Sequence, residues 1–239
     1  MHLLVLGLIV ALLSGGLLLG AGPAYQAGLW DFRTGFEFMR IAAYGGLVAV
    51  VLGLFGLITQ HSKRRAAVII GILTLVIGGV TAFVPWSWQA RARNSPPIHD
   101  ITTDTDHPPR FVDVLPLRED APNPAEYGGP EVAAEQRQAY PDIQPLTLAM
   151  PPDAAYDRAL RVAEALGWEI VSTDRAAGRI EATATTSWFG FKDDIVIRVR
   201  RSELGARVDI RSVSRVGRGD VGTNARRVRE FLSRLEERR

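Results

Sequence analysis

Leu3–Leu19, reading LLVLGLIVALLSGGLLL, contains no charged side chain. Two further runs of the same kind follow, Ile41–Thr59 and Ala66–Val84. A helix needs about 20 mostly apolar residues to cross the hydrocarbon layer of a bilayer. No water reaches the backbone there, so such runs cross as helices. The sequence therefore predicts a three-helix transmembrane bundle in residues 1–88, with spans near 3–20, 41–59 and 66–84. Met1 and His2 are the only residues ahead of the first run, so it lacks the basic flank of a signal peptide and is read as an uncleaved helix. Glycines punctuate the spans at Gly15, Gly16, Gly45, Gly46, Gly53, Gly56, Gly71, Gly78 and Gly79. Small residues let helix backbones approach closely in lipid, either within one bundle or between copies. The spans hold no Asp, Glu, Lys or Arg, which argues against an ion or proton pathway.

Orientation is read from Gln60–Arg65, the short connection between spans two and three. It ends Lys63-Arg64-Arg65, and dense basic residues in a short loop mark the cytoplasmic side. The chain beyond span three is then expected outside. Trp30, Phe32, Phe36 and Phe38 after span one, with Trp86 and Trp88 after span three, read as interfacial anchors. Arg33, Arg40, Arg91 and Arg93 pull the other way.

The net charge of +2 hides a strong asymmetry. Residues 1–88 sum to +3, residues 94–195 to −10, and residues 196–239 to +7. Two parts of one domain that attract each other account for this better than a nucleic-acid surface does. The chain has no Cys, which excludes disulfides, thiolate metal sites and thiol catalysis.

Twelve of the 14 prolines lie between Pro96 and Pro152. Proline removes a backbone donor and biases its predecessor away from helix, so residues 89–150 are expected as a linker and extended arm. Within them, Ala121–Gly129 reads as a flexible surface insertion and Val132–Gln138 as a short helical turn. Residues 151–239 form the domain core. Asp153 is placed to cap a helix reaching about Leu166, with Gly167 as its stop. Four strands follow, near Trp168–Thr173, Gly178–Thr186, Phe191–Arg201 and Ala206–Val213. Ile180, Ala182 and Ala184 alternate with Arg179, Glu181 and Thr183, so an antiparallel sheet covered on a single side is predicted. A last helix starts near Thr223, with Val221, Ala225, Val228, Leu232 and Leu235 spaced as a buried stripe. The fold class is a transmembrane bundle plus an α+β domain, a four-stranded antiparallel meander with helices on one face.

Several motifs in this order resemble one family. Asp100-Ile101-Thr102-Thr103-Asp104, Pro108-Pro109-Arg110-Phe111, Tyr140-Pro141-Asp142-Ile143 and Gly167-Trp168 are among them. So are Trp188-Phe189-Gly190-Phe191-Lys192-Asp193-Asp194, Arg211–Gly217 and Asp220–Arg226. Together they are similar to the bacterial and plastid family of unknown function numbered 1499, over roughly residues 96–236. The resemblance implies envelope or membrane association and brings no catalytic residues with it.

Arg211–Arg227, RSVSRVGRGDVGTNARR, is the leading candidate site. Its Gly217, Gly219 and Gly222 satisfy a G-x-G-x-x-G pattern. The parallel strands and later acidic residue of a dinucleotide fold are missing, however. A glycine turn that opens a helix can still hold an anion on backbone N–H groups. Arg215, Arg218, Arg226 and Arg227 would add forked donors, and Ser212, Ser214 and Asn224 hydroxyl or amide contacts. The structural alternative is a helix capped by Asp220, with the arginines paired to the acidic block. His99, Asp100, Asp104, Asp106 and His107 have loose spacing that matches no established metal motif, so no metal and no cofactor is predicted. Trp188–Phe191 at a hairpin would present an aromatic patch or fold over the sheet. Asp193 and Asp194 resemble an acid/base pair, yet neighbours on a strand point to opposite faces.

These features favour a membrane-tethered envelope module that binds or scaffolds without catalysis. The expected partners are the membrane, an anionic lipid or polymer, and a membrane protein or a second copy, but not nucleic acid. The competing readings are an envelope hydrolase or transferase built on Asp and Arg, and a structural subunit of a membrane complex.

Overall fold

The computed structural model describes residues 1–59 and 65–237. The chain divides into a helical unit, residues 1–91 with 187–190, and a second unit formed by the rest. The basic connection Gln60–Arg65 falls outside the described residues apart from Arg65.

The helical unit contains α1 (His2–Gln26), α2 (Phe32–Thr59) and α3 (Arg65–Asn94), all long and apolar enough to cross a membrane. Asp31 caps α2, its Oδ1 accepting from the N–H groups of Arg33 at 2.7 Å and Thr34 at 3.1 Å. Glycine lets two of the helices approach closely. A Cβ on Gly46 would lie 2.6 Å from the Gly78 carbonyl oxygen, and one on Gly78 would lie 2.8 Å from that of Gly46. Helices α2 and α3 thus touch backbone to backbone, where dispersion contacts are densest in a solvent as apolar as the side chains. Thr74 and Thr81 line the same seam and return their hydroxyls to the carbonyls of Ile70 and Ile77.

Ser187–Gly190 belongs with these helices. Phe189 is buried, its ring 5.2 Å from Phe36 and 6.0 Å from Tyr25. Trp188 meets Trp88 edge to face at 5.5 Å, and its carbonyl accepts from Gln26 Nε2 at 2.7 Å. The aromatic motif therefore neither forms an exposed patch nor folds over the sheet. Gly22 and Gly35 provide its seats, since a Cβ at either would collide with Trp188 or Phe189.

The second unit is built on one antiparallel sheet. Strands β3 (Glu169–Asp174), β4 (Arg179–Thr185), β5 (Lys192–Ser202) and β6 (Gly205–Ser214) form the expected meander. Two short strands extend it, β1 (Asp100–Thr102) and β2 (Leu146–Leu148), so the sheet has six strands. Both pair with β6, Asp100 opposite Val213 and Leu146 opposite Val208. They cover the outer edge of a long strand that would otherwise offer unpaired backbone groups. Three-residue strands carry too little alternation to be seen in sequence.

Helices α5 (Pro152–Ala165) and α6 (Thr223–Glu236) lie on one face. Ile180, Ile195, Ile197, Val208 and Ile210 point at Tyr156, Ala159, Val228, Phe231 and Leu235 from these helices. Asp153 is not the cap of α5. Pro151 holds that position and Pro152 fills the first turn, where a missing N–H costs nothing. Helix α4 (Gly129–Ala139) is a full helix rather than a turn, and Gln136 on it clamps the Thr102 backbone through both amide atoms, at 2.9 and 2.6 Å.

The opposite face of the sheet is covered as well, which corrects the single-sided expectation. Phe111 and Val114 pack on Val196 and Val213, followed by the 3-10 turn Leu115–Arg118. The alternation is present as expected, but its polar members are buried in ion pairs rather than in water. Nor is Ala121–Gly129 a free insertion, because guanidinium and amide groups grip its backbone. Arg118 donates to the Asn123 carbonyl at 3.0 Å and Arg211 to that of Ala125 at 2.8 Å.

Candidate functional site

The polar face of the sheet is an ionic layer. Asp194 on β5 is fully buried and accepts from Arg215 in a two-pronged pair, at 2.9 and 2.8 Å, and from Thr183 Oγ1 at 2.7 Å. Arg118 Nη1 binds its other side. Burial alone would raise the Asp194 carboxyl, but Arg215, Thr183 and Arg118 hold it below the usual carboxylate range. Glu181 on β4 is also fully buried and accepts from the N–H groups of Val112, Asp113 and Val114, which stitches the covering segment to the sheet. Arg211 makes a bidentate pair with Asp100 at 2.9 and 2.7 Å, and its guanidinium lies between the rings of Phe111 and Tyr127. Burial pushes the Tyr127 phenol up to about 12, so it stays neutral. At the far end, Arg198 and Arg207 each bridge Asp104 and Asp209.

A second network lies under the start of α6. Asp193 points the other way from Asp194 and pairs with Arg227 at 2.7 Å. Asn224 is fully buried, donating to the His99 carbonyl and Ser214 Oγ and accepting from Ser212 Oγ at 2.6 Å and from Arg227. Asp220 places one carboxylate oxygen 2.9 Å from the Gly222 N–H and the other 2.5 Å from the Asn224 N–H. An intrachain carboxylate thus holds the positive end of the helix, where an external anion would sit. Burial, with Asp193 nearby, raises the Asp220 carboxyl against those hydrogen bonds. The turn between them is bent sharply, with Val221 at φ 56 and Gly222 at φ 71. A branched side chain in the left-handed region costs on the order of 1–3 kcal/mol.

Seven of the predicted site residues are therefore spread apart in role. Arg215 faces Asp194 in the ionic layer, and Asn224 is engaged on every polar atom. Gly217 gives its carbonyl to Asn123 Nδ2 at 2.8 Å, and Gly219 lies against Pro96 and Pro97. Gly222 supplies the left-handed turn next to the Tyr140 hydroxyl. Of the seven, Arg218 and Arg226 present exposed side chains, and Arg226 bonds the Val221 carbonyl and Thr223 Oγ1. The acidic run near His99 disperses too. Asp100 turns to Arg211, Asp104 to Arg198 and Arg207, and Asp106 to Arg137. Among the described residues no three His, Cys, Asp or Glu side chains gather as a metal site.

Asp194 does face Arg215, the pairing that an acid/base site would require. It is sealed from solvent beneath Arg118, however. Two adjoining cavities, of about 840 and 380 Å³, open elsewhere, along α5 and α6. Their walls carry Arg158, Arg161, Arg226, Arg227 and Arg234 with Glu230 and Glu237. Of this set, the candidate segment in the sequence includes Arg226 and its neighbour Arg227. The others lie on the outer faces of two helices, where surface charge carries no distinctive spacing.

Three apolar helices followed by a two-faced α+β domain, its sheet backed by helices and sealed by an ionic layer, define a membrane-anchored domain protein whose central acids are closed off by arginine. The chain belongs to the family described as protein of unknown function (DUF1499), whose sequence model matches residues 100–235. No curated protein and no solved structure matches it significantly. The matched span starts at β1 and ends in α6, and includes both charged networks.

Proposed function

We propose that this protein is a membrane-tethered module of the bacterial envelope that recognises an anionic partner and performs no reaction itself. One observation carries the reading. The carboxylates best placed for chemistry are each engaged, Asp194 and Asp193 by arginine and Asp220 by the α6 N-terminus, while Arg158, Arg161 and Arg226 make no salt bridge among the described residues. Arg158 donates to the Glu237 carbonyl, and Asp157, paired with Arg175, is the carboxylate that feels Arg161. A general acid or base must reach its substrate, whereas Asp193 and Asp194 are buried and Asp220 is held by two backbone N–H groups. Unpaired guanidinium groups on an open face suit oxyanions, which they bind through two parallel N–H bonds. Within the glycine-arginine segment, Arg226 is the exposed residue that reaches this face.

The basic triplet Lys63–Arg65 supports a domain on the outer side of the cytoplasmic membrane by the positive-inside rule. The binding test uses the full chain in detergent micelles, melted against a panel of phosphates and polycarboxylates. An anion present at 100 times its dissociation constant adds about 2.7 kcal/mol of stability. Arg226→Gln should remove that gain and leave the unliganded melting temperature unchanged. A flat response across the panel would reject the anion reading.

A further inference from the structure

The basic face is a groove, and its length bears on what fills it. The two cavities share Ala165 and Arg234 in their walls, so they run on from one another between α5 and α6. The floor is Met150, Ala154, Val162 and Ala165. Arg226 and Arg234 both line it eight residues apart on α6, about 12 Å along a helix rising 1.5 Å per residue. Arg158 and Arg161 add a second row from α5. Arg227 is neutralised by Asp193 and Arg234 by Glu230 at 2.6 Å, and the half-buried Arg158 donates to the Glu237 carbonyl, which leaves Arg161 in one cavity and Arg226 in the other as the exposed cations without a salt bridge. The two arginines line different cavities, so one phosphate or carboxylate seated in either cavity meets one of them.

We propose that this groove holds a linear polymer of oxyanions, with Arg161 and Arg226 contacting successive charged groups. The proposal rests on the anion reading above and specifies its ligand class. A lipid surface fits less well. The large apolar side chains exposed on this unit, Val112, Leu115, Leu117 and Leu204, lie outside the groove, so nothing beside the arginines would enter a bilayer.

The test is fluorescence anisotropy of labelled polyphosphate titrated with the full chain in detergent micelles. Binding should saturate and weaken as salt screens the exposed charges. Arg161→Gln with Arg226→Gln should weaken it by about tenfold or more, the loss expected when charge-assisted contacts are removed. Arg218→Gln, exposed but outside the groove, should leave it unchanged. Both changed side chains are exposed, so an unaltered melting curve will show that the double variant folds. Inorganic phosphate competing as well as polyphosphate, phosphate group for phosphate group, would reduce the groove to a single-anion site; the polymer proposal would then fall while the anion reading stood. Arginine-dependent binding to phosphatidylglycerol vesicles with no binding to polyphosphate would replace the polymer with a lipid. Equal losses in the double variant and in Arg218→Gln would move the contact away from the groove. Absence of binding to polyphosphate, phosphate and vesicles alike would overturn both.

Discussion

At the scale of single residues, the second face of the sheet depends on buried charges, Asp194, Glu181, Asp209, Arg118 and Arg211 among them. Removing one partner of a buried pair leaves the other without a counter-charge, at a cost of about 3–5 kcal/mol. Asp194→Ala strands both Arg118 and Arg215, so its melting temperature should fall more than that of any exposed Arg variant. The acid limb of stability carries the same signature. Asp194 has a folded-state pKa below its unfolded value, so its contribution is complete above about pH 4 and lost as pH falls through the folded value. Asp194→Asn should flatten that limb in a pH series of thermal melts. Asp220 has the opposite sign. Its pKa is raised, so its contribution is full below about pH 4 and lost as pH rises through the folded value. Asp220→Asn keeps one of the two acceptors and turns an amide donor against the other backbone N–H, so it should be less stable than the parent below about pH 4 and should lack the decline with rising pH. Asp220→Ala should cost about 1 kcal/mol, as cap deletions do. A decline with rising pH in Asp220→Asn as steep as in the parent would show that another group sets that limb. The residue types of this layer are visible in the sequence, and so is the attraction between its acidic and basic blocks. Its pairings are not. Arg118 and Asp194 are far apart in the chain, and no local spacing links them.

Elements are legible where a period repeats and hidden where it does not. The meander and the two flanking helices stand out because period two and period 3.6 run long enough to distinguish core from surface. The covering arm has no period. It is held by Glu181 accepting three backbone N–H groups and by guanidinium contacts to carbonyls, which backbone atoms supply whatever the side chain. Trp188 and Phe189 mislead for a related reason. Their seats, Gly22 and Gly35, lie in helices whose glycines read only as generic packing. The bundle offers a clean contrast between glycines. Gly46→Leu must push its side chain into the α3 backbone, whereas Gly79 has open space around its Cβ direction. Overpacking costs about 1–3 kcal/mol. In mixed-micelle unfolding Gly46→Leu should be destabilised on that scale and Gly79→Leu should match the parent. Equal stability of the two would mean that α2 and α3 do not meet backbone to backbone.

For the whole molecule, the question is which side of the membrane the domain occupies, and flanking charge gives the expectation to test. Lys63, Arg64 and Arg65 follow one another in sequence between the second and third apolar runs, where each basic residue counts most towards retention in the cytoplasm. Arg33 and Arg40 beyond span one, with Arg91 and Arg93 beyond span three, act in the opposite direction. They are spread over two segments at the other surface, and Asp31 and Glu37 accompany the first pair. The compact triplet should therefore prevail. Alkaline phosphatase fused after residue 95 is expected to be active, and a fluorescent protein that matures only in the cytoplasm to stay dark there. The balance supplies a sharper test than the parent alone. Changing Lys63, Arg64 and Arg65 together to Gln leaves only the opposing arginines, so the same fusions should exchange signals in part or in full. If the parent fusion is inactive, the domain faces inward and any polymer in the α5–α6 groove is a cytoplasmic one. If the parent is active and the triple variant unchanged, this triplet does not set the orientation, and the tendency of the C-terminal segment itself to be translocated outweighs the charges that flank the spans.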